Sequence, residues 1–412
     1  MLDRRAVLDH LRAHACAPSP DRPPRVGVEQ EWHTFCASDP QRHLQPTEIL
    51  DAARDGGPLP GGSVVTVEPG GQVEVATPAV EPWWEVLEVM RVDGAALRAR
   101  LGAATIATVA AGVDPFRPPA RTLTQPRYDV MQAYFDGDGP AGRRMMSSCA
   151  SIQVNVDSGD AATMARRWDL AHRVGPALAA AFACSPDPLH RSERLANWNA
   201  MDPTRTRPVL VSGDLAGDWA AYVLAARVML LHDDDGGCSP VERRLTFDQW
   251  IEDGIDGRHP TVQDLDYHCT TLFPPVRPRG WLELRWLDAL PAGVAEVAVA
   301  AVSALLLDEE AAGQAGEACT PVSAAAMWDT AAALGPRHPG LARAGVTALV
   351  AAADALDRTG APPGWAESVA AAAERWPAKG RCPADDLEDR LAAGAGPLAL
   401  ADPLEEVPSW PA

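Results

Sequence analysis

Four short segments of the sequence alternate apolar residues with carboxylate, amide or guanidinium residues. In the first, VGVEQEW, Glu29 and Glu31 alternate with Val28 and Trp32. Because successive side chains of a β-strand point to opposite faces of its sheet, this pattern predicts strands with one apolar and one chemically reactive face. The four segments are residues 26–33, 72–76, 151–157 and 281–287. A fold that contains these strands must bury the apolar face of the sheet in a core, and the other face must line a polar site.

The polar faces carry more carboxylates than a solvated strand needs. For a single strand, the simplest explanation is an antiparallel sheet with one wet side. Together, however, Glu29, Glu31, Glu74 and Glu283 would repel one another unless cations neutralised them. Mg²⁺ or Mn²⁺ suits such oxygen ligands, whereas the sequence has no His/Cys cluster of the kind that binds zinc. We therefore expect a divalent-cation site, which is a type of site that supports phosphoryl transfer.

The usual phosphate-binding loops are missing from the sequence. Lys379 is the only lysine, so a loop of the G-x-x-x-x-G-K-[ST] type cannot form, and no G-x-G-x-x-G turn follows a strand segment. Phosphate groups must then be held by metal ions and by planar guanidinium groups. The candidate arginines are Arg191, Arg194, Arg205, Arg207 and Arg285.

Charge and hydropathy limit which binding partners and which cellular location can be expected for the protein. The net charge is −20, with 56 acidic and 36 basic residues, which argues against nucleic-acid and membrane partners. The first residues form a charged amphipathic helix pattern, and no apolar run is long enough to span a bilayer, so we expect a soluble cytoplasmic protein. The eight cysteines include no C-x-x-C pair, which is typical of reduced thiols.

The order of the remaining patterns predicts an α+β fold in one catalytic domain, residues 1–412. The sheet region that carries the motifs is expected at 25–290, and a mainly helical part at 291–412 is expected to pack on it. The segment 184–217 has little periodicity and many Pro, Arg and Asp residues, which predicts a long ordered functional loop. Further expectations are a hairpin over 61–78 and helices over 82–101, 160–183 and 292–395.

Five motifs, taken in this order, resemble those of the glutamate–cysteine ligases. They are GVEQEW, EPGGQVEVATP, SIQVNVD, RLANWNAMDPTR and DYHCTTLFPPVRPRGWLELRWLD. The chain is most similar to the plant and bacterial branch, and within it to the actinobacterial enzymes that begin ergothioneine biosynthesis. The resemblance implies a curved, largely antiparallel sheet that forms a funnel-like active site ringed by helices, as in glutamine synthetase. It also implies Mg²⁺- and ATP-dependent ligation of the glutamate γ-carboxylate to the amine of L-cysteine through a γ-glutamyl phosphate.

The same resemblance implies roles for individual residues. Arg285 and Glu283 are expected to be catalytic, with Arg285 on the transferring phosphoryl group and Gln153 beside the nucleotide phosphates. The implied metal ligands are Glu29, Glu31, Glu74 and Glu283, with Glu68 and Gln153 as further candidates. The implied substrate-binding residues are Arg194, Trp198, Asp202, Arg205 and Asn155.

One departure from the family pattern leaves alternatives open. Where the family has E-x-R-G-A-D, this sequence has ELRWLD, so Trp286 and Leu287 replace two small residues. These replacements would be expected to alter the pocket for the acceptor amine. A ligase that joins glutamate to a different amine, or a non-catalytic metabolite-binding relative, therefore stays possible at this point. The sequence also leaves the oligomeric state open, a monomer included.

Overall fold

A computed structural model describes residues 2–19, 22–232 and 237–401 of the protein. Its strands are β1 (Val26–Cys36), β2 (Val64–Val67), β3 (Val73–Ala76), β4 (Ile106–Val109), β5 (Ser151–Asp157), β6 (Leu230–His232), β7 (Cys238–Pro240), β8 (Val276–Pro278) and β9 (Trp281–Asp288). Its helices are α1 (Arg4–Ala13), α2 (Pro46–Arg54), α3 (Glu85–Ala103), α4 (Pro126–Asp136), α5 (Ala141–Ser148), α6 (Ala161–Ala181), α7 (Glu193–Ala200), α8 (Pro203–Thr206), α9 (Leu215–Ala225), α10 (Phe247–Asp253), α11 (Val262–Cys269), α12 (Val294–Leu307), α13 (Glu309–Cys319), α14 (Met327–Leu334), α15 (Pro339–Thr359), α16 (Trp365–Arg375), α17 (Pro383–Ala392) and α18 (Pro397–Leu400).

Within the described residues, seven strands form one antiparallel sheet. Its order is β2-β3-β1-β5-β9-β8, and β4 pairs with the last residues of β1, while β6 and β7 form a separate hairpin. The four segments that alternate in the sequence are β1, β3, β5 and β9, and they are consecutive in this order. Their polar faces therefore join into one continuous surface, as do their apolar faces. The α+β fold with a largely antiparallel sheet is confirmed.

The apolar face of the sheet lies against two long helices. Val28, Val154 and Leu284 are almost completely buried in the main hydrophobic core. Helix α12 contacts β5, α6 contacts β9, and α15 covers both helices from outside. Because α12 is built almost entirely from Ala, Val and Leu, it can be buried on nearly all sides. These layers leave the opposite, polar face of the sheet free to form a cavity.

The prediction of a long loop over 184–217 is wrong, because this segment contains α7 and α8. Ser192 is the N-cap of α7 and accepts a hydrogen bond from the Leu195 amide, and Asp202 caps α8 by accepting from the Thr204 amide. Both are favoured N-cap residues. The helices are short and flanked by prolines, so their periodicity is too brief to be seen in the sequence.

The described part of the chain contains no helix that is both long and apolar enough to cross a membrane. All eight cysteines have free thiols, as expected from their spacing.

Candidate active site

A cavity of about 300 Å³ lies on the polar face of the four central strands. Its floor is made by side chains that the alternation pattern placed on the reactive faces. They are Glu29, Glu31, Glu74, Ser151, Gln153, Glu283 and Arg285. The structure thus brings the polar side chains of the four strands into one cavity, in agreement with the prediction that their faces share a site. Glu68, just before the turn between β2 and β3, is also on the wall.

The turn between β2 and β3 passes very close to the end of α5. A Cβ atom added to Gly70 would lie 2.1 Å from the carbonyl oxygen of Ser147, and Gly71 has a φ of +86°. Gln72 secures the turn, because its amide group donates to the carbonyl of Cys149 at 2.6 Å and accepts from the Gly70 amide at 2.9 Å. Only glycine fits this approach, and the approach keeps Glu68 and Glu74 beside the cavity.

Four carboxylates of the cavity have few partners that would stabilise their charge. Glu31 accepts hydrogen bonds from the amide and hydroxyl of Ser151 at 2.8 and 3.0 Å, and Glu74 accepts one from Thr66 Oγ1 at 2.7 Å. Burial raises the pKa of Glu29, Glu31 and Glu74 above the ordinary value. For Glu68, burial and the charges of Glu31 and Glu74 raise the pKa to about 8. The cavity therefore concentrates negative charge that a cation would relieve.

Glu283 has a different environment from the other four acids. Arg277 donates from Nε to Oε2 at 2.6 Å and from Nη2 to Oε1 at 3.1 Å, and Arg279 Nη1 donates to Oε1 at 3.2 Å. Arg285 Nη1 donates to Oε2 at 3.0 Å. Burial raises the pKa of Glu283, but the guanidinium groups of Arg285, Arg277 and Arg279 outweigh it and hold the pKa well below its ordinary value. Glu283 is therefore an ionised anchor for three arginines.

Arg285 lies on the part of the cavity floor that β9 provides. Besides Glu283, its Nη1 donates to the side-chain oxygen of Gln153. Its Nε is buried and has no partner, and its guanidinium group lies 5.9 Å from the centre of the Trp198 ring. A buried arginine that is held on one edge and unpaired on another can bind an anionic group of a ligand.

Arg194 and Trp198 reach the same cavity from α7. Arg194 donates from Nη2 to the carbonyl of Arg285 at 2.8 Å, and its guanidinium group lies 5.1 Å from the Trp198 ring centre. Trp198 donates from Nε1 to the carbonyl of Phe273 at 2.8 Å. Helix α7, which the sequence did not reveal, thus places two of the expected substrate-binding side chains on the wall.

The other three expected substrate-binding residues do not line the cavity: Asp202 and Arg205 are buried away from it, and Asn155 lies beside it on the polar face of β5. Asp202 and Arg205 are completely buried and form an ion pair at 3.1 Å, with Arg205 also donating to the carbonyls of Thr271 and Arg227. Asn155 is held between Glu29, to which it donates at 3.3 Å, and the Trp281 indole, which donates to it at 2.8 Å. Their contacts brace the elements that carry the wall.

Trp286 and Leu287 do not face the cavity, contrary to the expectation from the sequence. Both are 2% exposed and belong to the main core, where the Trp286 ring lies 6.1 Å from that of Trp328. The strand pairing explains this orientation. Ile152 is opposite Leu287 and Val154 is opposite Leu284, so β9 has one residue more than β5 between these pairs. Trp286, two residues after Leu284, is on the apolar side by regular alternation, and the β-bulge turns Leu287 to that side as well.

Sequence reasoning missed several residues of the cavity. Arg277 lies in β8 and Arg279 in the tight turn that follows it, and their alternation with Val276 and Pro278 was a usable signal for a strand facing Glu283. The roof of the cavity, which α4 and α5 form opposite the sheet, has no comparable signal, because its three methionines, one tyrosine and one arginine follow no pattern that marks a site. The missed roof residues are Arg127, Tyr128, Met131, Met145 and Met146.

The donor atoms of the cavity fit a hard divalent cation better than zinc. The side chains that face it offer carboxylate and amide oxygens, which are the ligands that Mg²⁺ and Mn²⁺ prefer. In the described residues, no group of three or more His, Cys, Asp or Glu side chains is already arranged to hold a metal ion. The raised pKa values of four of the acids nevertheless indicate an unbalanced charge that such an ion would neutralise.

Comparisons with known proteins give a consistent result. Residues 25–402 match the model of a family described as glutamate-cysteine ligase family 2. A glutamate–cysteine ligase, EgtA, of Mycolicibacterium smegmatis is 40% identical over 380 residues, which cover 90% of this chain and 88% of that protein. EgtA of Mycobacterium tuberculosis is 41% identical over 384 residues, covering 90% of this chain and 87% of that protein.

Among solved structures, a glutamate–cysteine ligase from Francisella tularensis in complex with AMP superposes with a TM-score of 0.52. The superposition covers 93% of this chain and 88% of that one, and the two sequences are 11% identical. At this identity the likeness concerns the fold, and it supports the α+β architecture described above.

Proposed function

This chain belongs to glutamate–cysteine ligase family 2, and we propose that it joins the γ-carboxylate of L-glutamate to the amine of L-cysteine at the expense of ATP, which is converted to ADP and phosphate. The observation that carries the proposal is the cavity on the sheet, where five glutamates surround Arg285 and Gln153. A carboxylate is a poor electrophile until it is phosphorylated, and a site for that reaction must bring two anions together. Arginines and cations beside one polar surface can do so.

We propose the following course for the reaction. The γ-carboxylate oxygen of glutamate attacks the γ-phosphorus of ATP, and ADP leaves with the electron pair of the broken bond. The neutral amine nitrogen of cysteine then attacks the acyl carbon of γ-glutamyl phosphate, phosphate leaves with the electron pair of the broken C–O bond, and the nitrogen releases one proton to form the amide. Arg285 contacts the transferring phosphoryl group through the guanidinium edge that Gln153 and Glu283 do not use. Arg194 and Trp198 contact the amino-acid substrates, while the buried Asp202–Arg205 pair supports the elements that carry the wall and Asn155 holds Glu29.

We also propose that Mg²⁺, or Mn²⁺ in its place, is required. Glu29, Glu31, Glu68 and Glu74 would supply most of the ligands, and Gln153 and Glu283 would contribute oxygens that they share with arginines. A bound ion would neutralise phosphate charge and the repulsion among the acids. The dipeptide product would serve ergothioneine biosynthesis, as the resemblance to the actinobacterial branch implies.

A coupled assay of the purified protein tests this proposal. With Mg²⁺, ATP, glutamate and cysteine, we expect equal amounts of ADP and γ-glutamylcysteine, and no dipeptide when any component is omitted. Arg285→Gln should lower the rate by about 100-fold or more, because it removes charge at the transferring phosphoryl group. The matched control is Arg173→Gln, an exposed arginine on α6 paired with Asp169, which should react at the normal rate. Absence of dipeptide from the unmodified protein would contradict the proposal.

A further inference from the structure

The β-bulge in β9 changes the direction of Asp288 as well as that of Leu287. In a regular strand Asp288 would share the core face with Leu284, because the two are an even number of residues apart. The additional residue between the Ile152–Leu287 and Val154–Leu284 pairs reverses this alternation. Asp288 is therefore opposite Ser151 and on the same side of the sheet as the cavity.

Asp288 is a buried junction between β9 and the segment that begins α7. It is 2% exposed, and it accepts hydrogen bonds from the Cys184 amide at 2.8 Å, Ser185 Oγ at 2.7 Å and Ser192 Oγ at 2.9 Å. The site is tightly enclosed, since a Cβ atom on Gly112 would lie 2.5 Å from the Asp288 carboxyl carbon. Such a carboxylate is fixed in one orientation.

The two serines carry the effect of Asp288 into the first turn of α7. Ser192 Oγ accepts from the Leu195 amide at 3.1 Å, and Ser185 Oγ accepts from the Arg194 amide at 3.2 Å. Each hydroxyl can accept these bonds in this orientation because its own proton goes to Asp288. The backbone of Arg194 is thus held by a chain of bonds that starts at Asp288.

Asp288 also faces the charge of Arg194 without occupying its donors. Arg194 Nη1 lies 3.7 Å from Asp288 Oδ1, which is too long for a hydrogen bond but close enough to offset the cost of burying the guanidinium group. Arg194 is 2% exposed, and its Nε is buried without a partner while the residue lines the cavity. A guanidinium group whose charge is balanced, but whose hydrogen-bond donors are not all used, can still bind a carboxylate of a ligand.

We propose that Asp288 is a positioning residue that keeps Arg194 oriented to bind a carboxylate group of one of the amino-acid substrates. This inference rests on the proposed ligase function. It assigns to the last residue of the E-L-R-W-L-D motif a role that acts through Arg194, and it makes the β-bulge a part of the site.

The test compares Asp288→Asn with Asp93→Asn, a matched change in a buried carboxylate remote from the cavity. Asp93 is fully buried and accepts from the amides of Gly61 and Ser63. Steady-state kinetics should show that Asp288→Asn raises KM for glutamate or for cysteine by about tenfold, the equivalent of one weakened charged contact. KM for ATP should stay within about twofold, and Asp93→Asn should change none of the three KM values.

Two further measurements keep the test decisive. If Asp288→Asn does not fold, Ser192→Ala should show the same selective rise in KM to a smaller degree. Thermal stabilisation of the protein by glutamate or cysteine alone should fall in the same variants, and this binding readout does not require catalysis. An unchanged KM for both amino acids, or an equal rise in KM for ATP, would overturn the role of Asp288. Loss of ligation by the unmodified protein would instead overturn the proposed function.

Discussion

Arg277 Nε lies 2.6 Å from Glu283 Oε2, and this cross-strand pair joins β8 to the floor of the cavity. Glu283 is completely buried, and two further arginines share its oxygens. The carboxylate is thus as much a structural anchor for arginines as a candidate ligand. Sequence reasoning placed Glu283 among repelling acids, whereas in the folded chain it is the acid with the most compensation.

Replacing Arg277 by methionine is expected to destabilise the fold, because it leaves a buried carboxylate with less compensation. The free energy of unfolding should fall by about 3 kcal/mol, as when one partner of a buried ion pair is removed. Arg166→Met is the control, because Arg166 forms an exposed pair with Glu309 and such pairs contribute little. Urea unfolding measures both. An equal loss of unfolding free energy in the two variants would show that the buried pair contributes no more to stability than the exposed pair.

The stability of the metal-free protein should decrease as the pH rises from 4.5 to about 8, the ordinary and the raised pKa of Glu68. Across this interval the folded protein binds more protons than the unfolded chain, so ionisation of Glu68 costs folding free energy. Glu68→Gln should flatten the dependence relative to the unmodified protein. Glu309→Gln, an exposed glutamate on α13, should leave the dependence as it was. Urea midpoints across the interval measure the difference, and parallel curves for both variants would refute the prediction.

Glu29→Gln and Glu31→Gln should each lower turnover by about 100-fold and raise the Mg²⁺ concentration needed for half-maximal rate. The metal-free variants should be as stable as the unmodified protein, or more stable, because an amide removes part of the repulsion among the acids. Mg²⁺ titration of the initial rate, together with thermal unfolding without metal, provides both readouts. Glu88→Gln on the surface of α3 is the control. Normal turnover of both site variants at low Mg²⁺ would exclude these residues as ligands.

Trp286→Ala should reduce stability without changing the preferred acceptor amine. The side chain fills core space against Trp328, so its truncation should cost about 3 to 5 kcal/mol. A panel of amines, with cysteine, serine, alanine and 2-aminobutyrate, should keep its order of rates. A changed order would instead place Trp286 in contact with the acceptor.

The strands and their shared polar surface were predictable because alternation is a local property of the sequence. The polar face of its own strand could be assigned to Glu29 and to Glu74 without knowing which strands pair. The pairing of β1 with β3 then brings the two residues together. The same reasoning fails at Leu287 and Asp288, which lie beyond the β-bulge. Alternation cannot reveal an additional residue in one strand, because the bulge is defined only by the pairing with β5.

The helical part of the site was missed for a different reason. Helix α7 is formed by eight residues and depends on the cap provided by Ser192, so its sequence signal is one polar residue among many. Arg194 and Trp198 were singled out by resemblance alone. The methionines of α4 and α5 could not be found, since a side chain that lines a cavity is indistinguishable in sequence from one that fills a core.

The order of strands in the sheet has a consequence for synthesis of the chain. β1 is made first and pairs soon with β3 and β4, but β5 obtains its second neighbour only when β9 has been made. A ribosome that stalls before β9 would release a product whose β5 is an uncovered edge strand with Val154 and Val156 on its apolar face. Unpaired edges of this kind invite pairing between chains. Truncated products are therefore expected to aggregate and be degraded rather than accumulate as competitors for substrate.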